Sequence, residues 1–211
     1  MRTIIASILF CLPLMIAAQT DWEKPQTDNT PQTPVKSVNS TEYKYAKYLE
    51  GAVPMKNGEV VWDATFENGK SASENYDIML KFLTNMTKEE EQTQESCVTL
   101  VSPNDKKIVA HYVEWLLFSN KLLSLDRTEM QYVVECDCYD KKVYVKIFRI
   151  RYHYEENRKG GERFQAETWI TDKYALNKKK TKLSKYSGKF RRCTVDRMEE
   201  LLQKFETVIK G

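Results

Sequence analysis

Glycine, proline and histidine are scarce in this chain, and their scarcity excludes several classes of protein. The 211 residues include seven glycines, six prolines and two histidines. So few glycines and prolines exclude collagen-like and low-complexity architectures. No sign of charge dominates either, because 33 basic and 30 acidic residues give a net charge of +3. With 30% charged residues, the chain is too polar for a membrane-embedded protein.

The small net charge conceals an uneven distribution along the chain. Residues 1–140 contain 13 basic and 21 acidic residues, whereas residues 141–211 contain 20 basic and 9 acidic residues. The two parts therefore have net charges of −8 and +11. Such a basic block is typical of a surface that binds an anionic partner, or of a part that complements the acidic residues of the same domain.

The N-terminal region has the composition of a targeting segment followed by a linker. A basic start, an apolar run and a small-residue end predict a secretory signal peptide over residues 1–18. Cys11 lies inside the apolar run rather than at its end, so we expect no lipidation. Residues 19–47 are predicted to be a flexible linker rich in proline, threonine and glutamine. These features predict an exported protein.

Residues 48–211 show the mixture of strand and helix patterns that is typical of one α+β domain. Glu59–Phe66 has strand character, and Ser71 with Glu74 three residues later has the spacing of a helix capping box. A second helix, capped by Thr194, has an apolar stripe that requires a sheet to pack on. Between the helices we predict four strands: Cys97–Val101, Ile108–Phe118, Glu129–Tyr139 and Lys142–Tyr154.

The turn Asp140-Lys141 sets the pairing of the last two predicted strands. An even-length loop places Cys136 opposite Val145 on one face of the hairpin and Glu135 opposite Lys146 on the other. An odd-length loop would set Cys136 against Lys146 and separate these matched pairs. We therefore predict the even register.

Three segments of the chain have distinctive sequences. They are YLEGAVPMKNGEVVWDATF (48–66), SASENYDIMLKFL (71–83) and GGERFQAETWITDKYALNKKKTKLSKYSGKFRRCTVD (160–196). Together they resemble a family of secreted bacterial proteins, a domain of unknown function with a TATA-binding-protein-like (TBP-like) fold, over about residues 48–211. The resemblance implies a two-layer sandwich, with a curved antiparallel sheet and helices on one side in the order β-α-β-β-β-β-α.

The same resemblance also implies a location and limits the function. The family is abundant in Gram-negative gut commensals, which implies the periplasm or cell envelope. It has no established reaction, cofactor or catalytic residue that could be transferred. Because an exported protein does not meet the chromosome, no nucleic-acid partner is expected despite the name of the fold.

Cysteine and histidine side chains provide no recognisable catalytic or metal-binding pattern. Four cysteines follow the signal peptide: Cys97, Cys136, Cys138 and Cys193. Cys136 and Cys138 are two apart on one predicted strand, so a bond between them would strain the backbone. A disulfide to either of the others and small buried thiols are both open alternatives. His111 and His153 lack paired-ligand spacing, and glycine-rich nucleophile or phosphate loops are absent. We predict no metal, cofactor or catalytic residue.

The segment from Lys173 to Arg192 is the best candidate for a binding surface. It contains nine lysines or arginines and no acidic residue, and aromatic side chains are interleaved with them. Arg149 and Arg151 alternate on one face at the end of the last strand. The predicted ligand or partner contacts are Arg149, Arg151, Trp169, Lys173, Lys178, Lys179, Lys180, Lys182, Arg191 and Arg192. A solvated loop and an internal complement to the acidic residues are the alternatives.

Three classes of function are compatible with these features. The first is a non-enzymatic envelope module that binds an anionic component, such as a lipid headgroup or a glycan, or another protein. The second is a hydrolase acting on an envelope polymer, and the third is a structural subunit of an envelope assembly. We favour the first, because a cationic segment is present and no catalytic set is recognisable. No transmembrane segment is expected in the mature chain.

Overall fold

A six-stranded antiparallel sheet organises the part of the chain that the computed structural model describes, which comprises residues 45–121, 124–154 and 161–211. The predicted signal peptide and residues 19–44 of the predicted linker lie outside these ranges. The strands are β1 (Met55–Lys56), β2 (Glu59–Val60), β3 (Trp62–Glu67), β4 (Cys97–Ser102), β5 (Lys107–Lys121), β6 (Ser124–Tyr139), β7 (Lys142–Tyr154) and β8 (Glu162–Gln165). The sheet has the order β3-β7-β6-β5-β4, β8 also pairs with β7, and β1 and β2 form a separate hairpin.

Two long helices pack on one face of the sheet. Helix α1 (Ala72–Met86) begins with the predicted capping box, in which the Ser71 side chain accepts from the Glu74 backbone N–H. Two short helices, α2 (Ala166–Trp169) and α3 (Asp172–Ala175), precede the C-terminal helix α4 (Ser187–Lys210). The predicted α+β architecture and the order β-α-β-β-β-β-α are therefore confirmed, for β3, α1, β4 to β7 and α4.

The beginning of helix α4 differs from the prediction. Thr194 is not its cap, because the helix begins at Ser187, and Thr194 is a buried residue inside it. Its hydroxyl lies 2.7 Å from the hydroxyl of Tyr152 on β7. The burial of Phe190 against neighbouring aromatic rings extends the packed part of the helix toward the N-terminus. Within the described residues, no helix is both long enough and apolar enough to cross a membrane.

The predicted register of the hairpin between β6 and β7 is confirmed. Cys136 pairs with Val145, and Glu135 pairs with Lys146. Lys141 has a φ of 64°, and a left-handed residue of this kind is typical of the two-residue turns that match the twist of an antiparallel hairpin. Short-range turn chemistry and cross-strand matching were therefore sufficient to fix this pairing.

A β-bulge reverses the alternation of β7 halfway along its length. Val133 pairs with Phe148 and Gln131 pairs with Arg151, so β7 has one residue more than β6 between these pairs. Arg149, at the bulge, has a left-handed φ of 55°. The buried residues of β7 are Val143, Val145 and Ile147 before the bulge, and Ile150 and Tyr152 after it. Arg149 and Arg151 are consequently exposed on the face opposite the helices, which we call the open face.

A buried ion pair joins helix α4 to the sheet. Arg197 donates from Nε to Glu114 Oε1 at 2.8 Å and from Nη2 to Oε2 at 2.9 Å. Tyr132 and Gln92 also donate to Glu114, at 3.0 and 2.6 Å. A buried carboxylate is tolerated when it is paired and its oxygens are hydrogen-bonded, as they are for Glu114. This network fixes the helix over β5 and β6.

Candidate functional site

The structure divides the ten predicted contact residues into separate groups. Five lysines lie in or beside a turn between α3 and α4, whereas Arg149 and Arg151 lie on the open face of β7. Arg191 is inside the domain, and Trp169 is half-buried in an aromatic cluster. Arg192 is half-buried on helix α4. A single continuous cationic strip, as the sequence predicted, is therefore not formed by all ten residues.

Residues 176–183 form a tight turn that we call the lysine hairpin. Leu176 and Leu183 face each other as a backbone bridge at its base. The backbone N–H of Asn177 donates to the carbonyl of Lys182 at 2.9 Å. The side-chain oxygen of Asn177 accepts from the backbone N–H groups of Thr181 and Lys182, at 2.8 and 3.2 Å. These bonds hold the tip in one conformation, so its lysines are presented on an ordered backbone.

The residues on both sides of the lysine hairpin fasten it to the domain. The backbone N–H of Ser184 donates to the carbonyl of Ala175 at 2.8 Å. The hydroxyl of Ser187, the first residue of α4, donates to the carbonyl of Tyr174 at 2.8 Å. The two serine hydroxyls are 2.6 Å apart. Short helix α3 and the start of α4 therefore clamp the hairpin base.

Most lysines of this region carry unpaired charge at the surface. Lys180 forms an ion pair with Glu50, and this hydrogen bond raises the pKa of the Lys180 ammonium group. The other five lysines between positions 173 and 185 are exposed and have no ion-pair partner among the described residues: Lys173, Lys178, Lys179, Lys182 and Lys185. Residues 173–185 contain no acidic side chain. The hairpin and its flanks are therefore strongly cationic.

Two exposed tyrosines accompany these lysines. Tyr174 is 43% exposed and Tyr186 is 71% exposed, which is unusual for such large rings. The Lys173 ammonium nitrogen lies 5.0 Å from the centre of the Tyr174 ring, and that of Lys185 lies 5.7 Å from the Tyr186 ring. Each tyrosine thus shares the surface with a cation at a distance typical of a cation–π contact.

Arg191, one of the ten predicted contacts, is not on the surface of the domain. Its side chain is fully buried. Its Nε donates to the carbonyl of Tyr48 at 2.6 Å, and its Nη1 donates to that of Ile170 at 2.8 Å. Its Nη2 donates to the carbonyl of Leu49 at 2.5 Å and to the carboxylate of Asp172 at 2.7 Å. Arg191 therefore joins α4 to the residues before β1, a contact that no local sequence pattern indicated.

Trp169 is also not an exposed aromatic platform. Its ring stacks on Phe164 of β8, with the ring centres 3.8 Å apart and the planes within 9° of parallel. The edge of Phe190 packs against the pair, 5.8 Å from the centre of the indole ring. The indole Nε1 is buried and has no hydrogen-bond partner within the described ranges. Trp169 belongs to an aromatic cluster beneath β7 and β8.

The open face has two adjoining cavities beside Arg151. The first, of about 280 Å³, we call the arginine cleft; its polar lining is Gln131, Arg151, His153, Arg163 and Gln165. The second, of about 310 Å³, is lined by Arg149 and Arg151 together with Glu59 and Glu167. Arg163 was missed by the sequence reasoning, because it reaches this face only through the pairing of β8 with β7. The lysine hairpin lines neither cavity.

The four described cysteines are free thiols, and three of them have little nucleophilic character. Burial raises the pKa of the Cys138 thiol to about 12 and raises that of Cys136 well above its ordinary range. Burial also raises the pKa of Cys193, while Cys97 is exposed. None of the four described cysteines forms a disulfide. Because the thiolate is the reactive form, the three shifted thiols stay protonated and inert at neutral pH.

Comparison with known proteins identifies relatives of this chain. Residues 65–153 match the model of a family described as a domain of unknown function (DUF4468) with TBP-like fold. The crystal structure of a DUF4468 family protein from Bacteroides ovatus ATCC 8483 is similar, with 36% identity, a TM-score of 0.72 and coverage of 79% of this chain and 95% of that one. No curated protein matches the chain.

A second solved structure supports the fold alone. A TBP-like protein from Parabacteroides distasonis ATCC 8503 is 22% identical, with a TM-score of 0.61. The alignment covers 75% of this chain and 97% of that protein. Within the described residues, no group of three or more histidine, cysteine, aspartate or glutamate side chains has the arrangement of a metal site.

Proposed function

The chain belongs to the DUF4468 family of domains of unknown function with a TBP-like fold, and we propose that it is an exported, non-enzymatic binding module of the bacterial cell envelope. In this proposal the lysine hairpin and its two flanking tyrosines contact the anionic headgroups of a lipid bilayer. The fold by itself does not decide function, so the proposal depends on the properties of this surface.

The observation that carries the proposal is the order of the lysine hairpin. Its tip is fixed by the Asn177 side chain and by backbone bonds, yet Lys178, Lys179 and Lys182 point into solvent without ion-pair partners in the described part of the chain. A solvated loop that serves only solubility has no need of such a fixed backbone. Because the conformation exists before binding, contact with an anionic surface costs little ordering entropy.

The exposed tyrosines favour a lipid surface over other anionic partners. Tyrosine is enriched at the level of the lipid headgroups, because its ring can contact the apolar region while its hydroxyl group stays hydrated. Tyr174 and Tyr186 have this exposure and lie among lysines. Each lysine near an anionic leaflet contributes about 1 kcal/mol to association. Five unpaired lysines are thus sufficient for reversible attachment.

The predicted export is consistent with such a partner. A signal peptide over residues 1–18 would deliver the chain to the envelope, and a flexible linker over residues 19–47 would precede the domain. The raised pKa values of the buried thiols agree with a non-enzymatic role, since these groups are poor nucleophiles at neutral pH.

Vesicle binding tests the proposal. We expect the mature chain to co-sediment with phosphatidylcholine vesicles that contain phosphatidylglycerol, and not with pure phosphatidylcholine vesicles. Binding should weaken as salt screens the charges. The double variant Lys178→Glu, Lys179→Glu should bind at least about tenfold more weakly, because two attractive charges become repulsive.

A matched charge reversal elsewhere serves as the control. Lys81 and Lys88 are exposed at the other long helix, so Lys81→Glu, Lys88→Glu changes the net charge equally. We expect this control to bind like the unchanged protein. Equal losses in the two double variants, or binding that ignores phosphatidylglycerol, would contradict the proposed contact. Binding of the protein to soluble acidic glycans with no affinity for vesicles would instead favour a glycan partner.

A further inference from the structure

Two short rows of polar side chains cross the open face where β8 joins the sheet. From β6 to β8, the first row is Gln131, Arg151 and Gln165, and the second is Glu129, His153 and Arg163. Adjacent strands are about 4.8 Å apart, so Arg151 and Arg163 are diagonal neighbours on β7 and β8. The arginine cleft of about 280 Å³ opens at this position.

The arginine cleft is positively charged. Arg151 and Arg163 are exposed, and neither has an ion-pair partner among residues 45–121, 124–154 and 161–211. The described residues that line the cleft include no carboxylate. Glu129 belongs to the second row, but it accepts a hydrogen bond from Gln131 Nε2 at 2.8 Å and lies two strands from Arg163. Two guanidinium groups without carboxylate partners are suited to bind a carboxylate or phosphate group.

The amide side chains of the cleft add a second kind of recognition. Because Gln131 donates its Nε2 to Glu129, its amide oxygen is oriented as an acceptor. Gln165, on the other side of Arg151, has both a donor and an acceptor in its side-chain amide. Hydroxyl groups need both kinds of partner. The cleft therefore combines charge recognition with sites for hydroxyl groups.

The size of the cavity limits the ligand. Small-molecule sites in proteins usually begin at about 300 Å³, and the arginine cleft lies near this lower bound. That volume suits a ligand of about one sugar ring. The volume is too small for a long acyl chain.

We propose that the arginine cleft binds an anionic sugar. Arg151 and Arg163 hold its carboxylate or phosphate group, and Gln131 and Gln165 bind its hydroxyl groups. The lysine hairpin contributes no residue to the cleft, so this site is separate from the proposed membrane contact and does not depend on it.

Titration calorimetry with four small ligands tests the chemistry. We expect glucuronate and glucose 6-phosphate to bind, and the tighter of the two identifies the preferred anionic group. Glucose should bind at least about tenfold more weakly, because it lacks the group that forms charge-assisted hydrogen bonds. Inorganic phosphate should also bind more weakly than the sugar phosphate. Equal affinity for glucose and the two anionic sugars, or no binding of either anion at millimolar concentration, would overturn the proposal.

Three arginine variants test whether Arg151 and Arg163 bind the anionic group of the sugar. Arg151→Gln and Arg163→Gln should each weaken binding at least about tenfold. Arg149→Gln removes the same charge at the bulge, two residues before Arg151. Because Arg149 does not line the cleft, this variant should change the affinity only slightly. All three side chains are exposed, so the melting temperature should stay constant and report intact folding. An equal loss in the Arg149 variant would show that general charge, rather than the cleft, attracts the ligand.

The two proposals fail independently. Lys178→Glu, Lys179→Glu should leave sugar binding unchanged while it weakens vesicle binding. Arg151→Gln should leave vesicle binding unchanged. Loss of sugar binding in the lysine variant would contradict the assignment of the ligand to the cleft.

Discussion

Gly188 and Leu183 approach each other so closely that a β-carbon at position 188 would lie 2.8 Å from the β-carbon of Leu183. Gly188 is the second residue of helix α4, and Leu183 closes the lysine hairpin. The hairpin therefore rests on the helix backbone at a point where only glycine leaves room. The position of the lysines is set by this contact together with the serine bonds at the hairpin base.

Gly188→Ala should displace the lysine hairpin and destabilise the domain. Overpacking of this kind costs about 1–3 kcal/mol, whereas replacing glycine by alanine in a helix contributes at most about 1 kcal/mol of stability. We expect a net decrease of about 1 kcal/mol in the free energy of unfolding, measured by urea denaturation. Affinity for anionic vesicles should fall as well, because the hairpin no longer holds its lysines in one arrangement.

Gly69→Ala is the matched control for this prediction. Gly69 has no atom within 4 Å of the place where its β-carbon would be. The same substitution there should leave both the stability and the vesicle affinity nearly unchanged. If the two alanine variants behave alike, the close contact with Leu183 does not position the hairpin.

Arg191→Lys should destabilise the domain despite keeping the charge. The guanidinium group donates to three backbone carbonyls and to Asp172, and a compact ammonium group cannot reach all four in the same geometry. Buried carbonyl groups then lose their partners. We expect a loss of about 3 kcal/mol in the free energy of unfolding by chemical denaturation.

Arg192→Lys provides the comparison at the adjacent position. Arg192 is half-buried, and its side chain forms no hydrogen bond with the described residues before β1. We expect this variant to be within about 0.5 kcal/mol of the unchanged protein. Equal stability of the two lysine variants would mean that Arg191 does not hold the N-terminal residues of the domain in place.

The stability of the domain should decrease in alkaline solution. Burial raises the pKa of Cys138 to about 12, whereas an unfolded thiol titrates near pH 8.5. The unfolded chain therefore releases this proton first as the pH rises. The stabilisation is complete below about pH 8.5 and is lost between there and about pH 12, by up to about 1.4 kcal/mol per pH unit for each such thiol.

Urea midpoints measured from neutral pH to about pH 10 test this dependence. Above about pH 10, the buried tyrosines Tyr112 and Tyr132, whose pKa values burial also raises, should steepen the decline. Cys138→Ala removes one titrating thiol and should flatten the decline below that pH, even if the variant is less stable overall. A slope that is identical with and without Cys138 would contradict the assigned cause.

Local chemistry made much of the fold predictable. The capping box at Ser71 and Glu74 is a three-residue pattern, and the turn at Asp140-Lys141 fixes its strands by parity. Both depend on residues close together in the sequence. The start of helix α4 was harder to predict from the sequence, because Thr194 has the chemistry of a cap and Gly188 interrupts the helix pattern. The packing of distant aromatic residues on Phe190 decided in favour of the longer helix.

The candidate sites were predictable in composition but not in arrangement. The basic segment predicted the exposed lysines of the hairpin, because a high density of charged residues can be read from the sequence. The burial of Arg191 was hidden, because its acceptors at Tyr48 and Leu49 lie more than a hundred residues away. Arg163 reaches the cleft through a pairing with β7 that no local pattern indicated. Contacts between residues distant in the sequence therefore decide which basic residues are buried, which line the cleft and which stay on the lysine hairpin.

The bulge at Arg149 decides which residues in the second half of strand β7 face the core. Strict alternation through all the residues of the strand would turn Ile150 and Tyr152 toward solvent and bring Arg151 into the core. Deleting residue 149 would remove the bulge and keep both faces, because Ile150 would then follow Phe148 in the alternation. The cationic open face and the apolar core therefore both depend on the left-handed conformation that accommodates Arg149 as an extra residue.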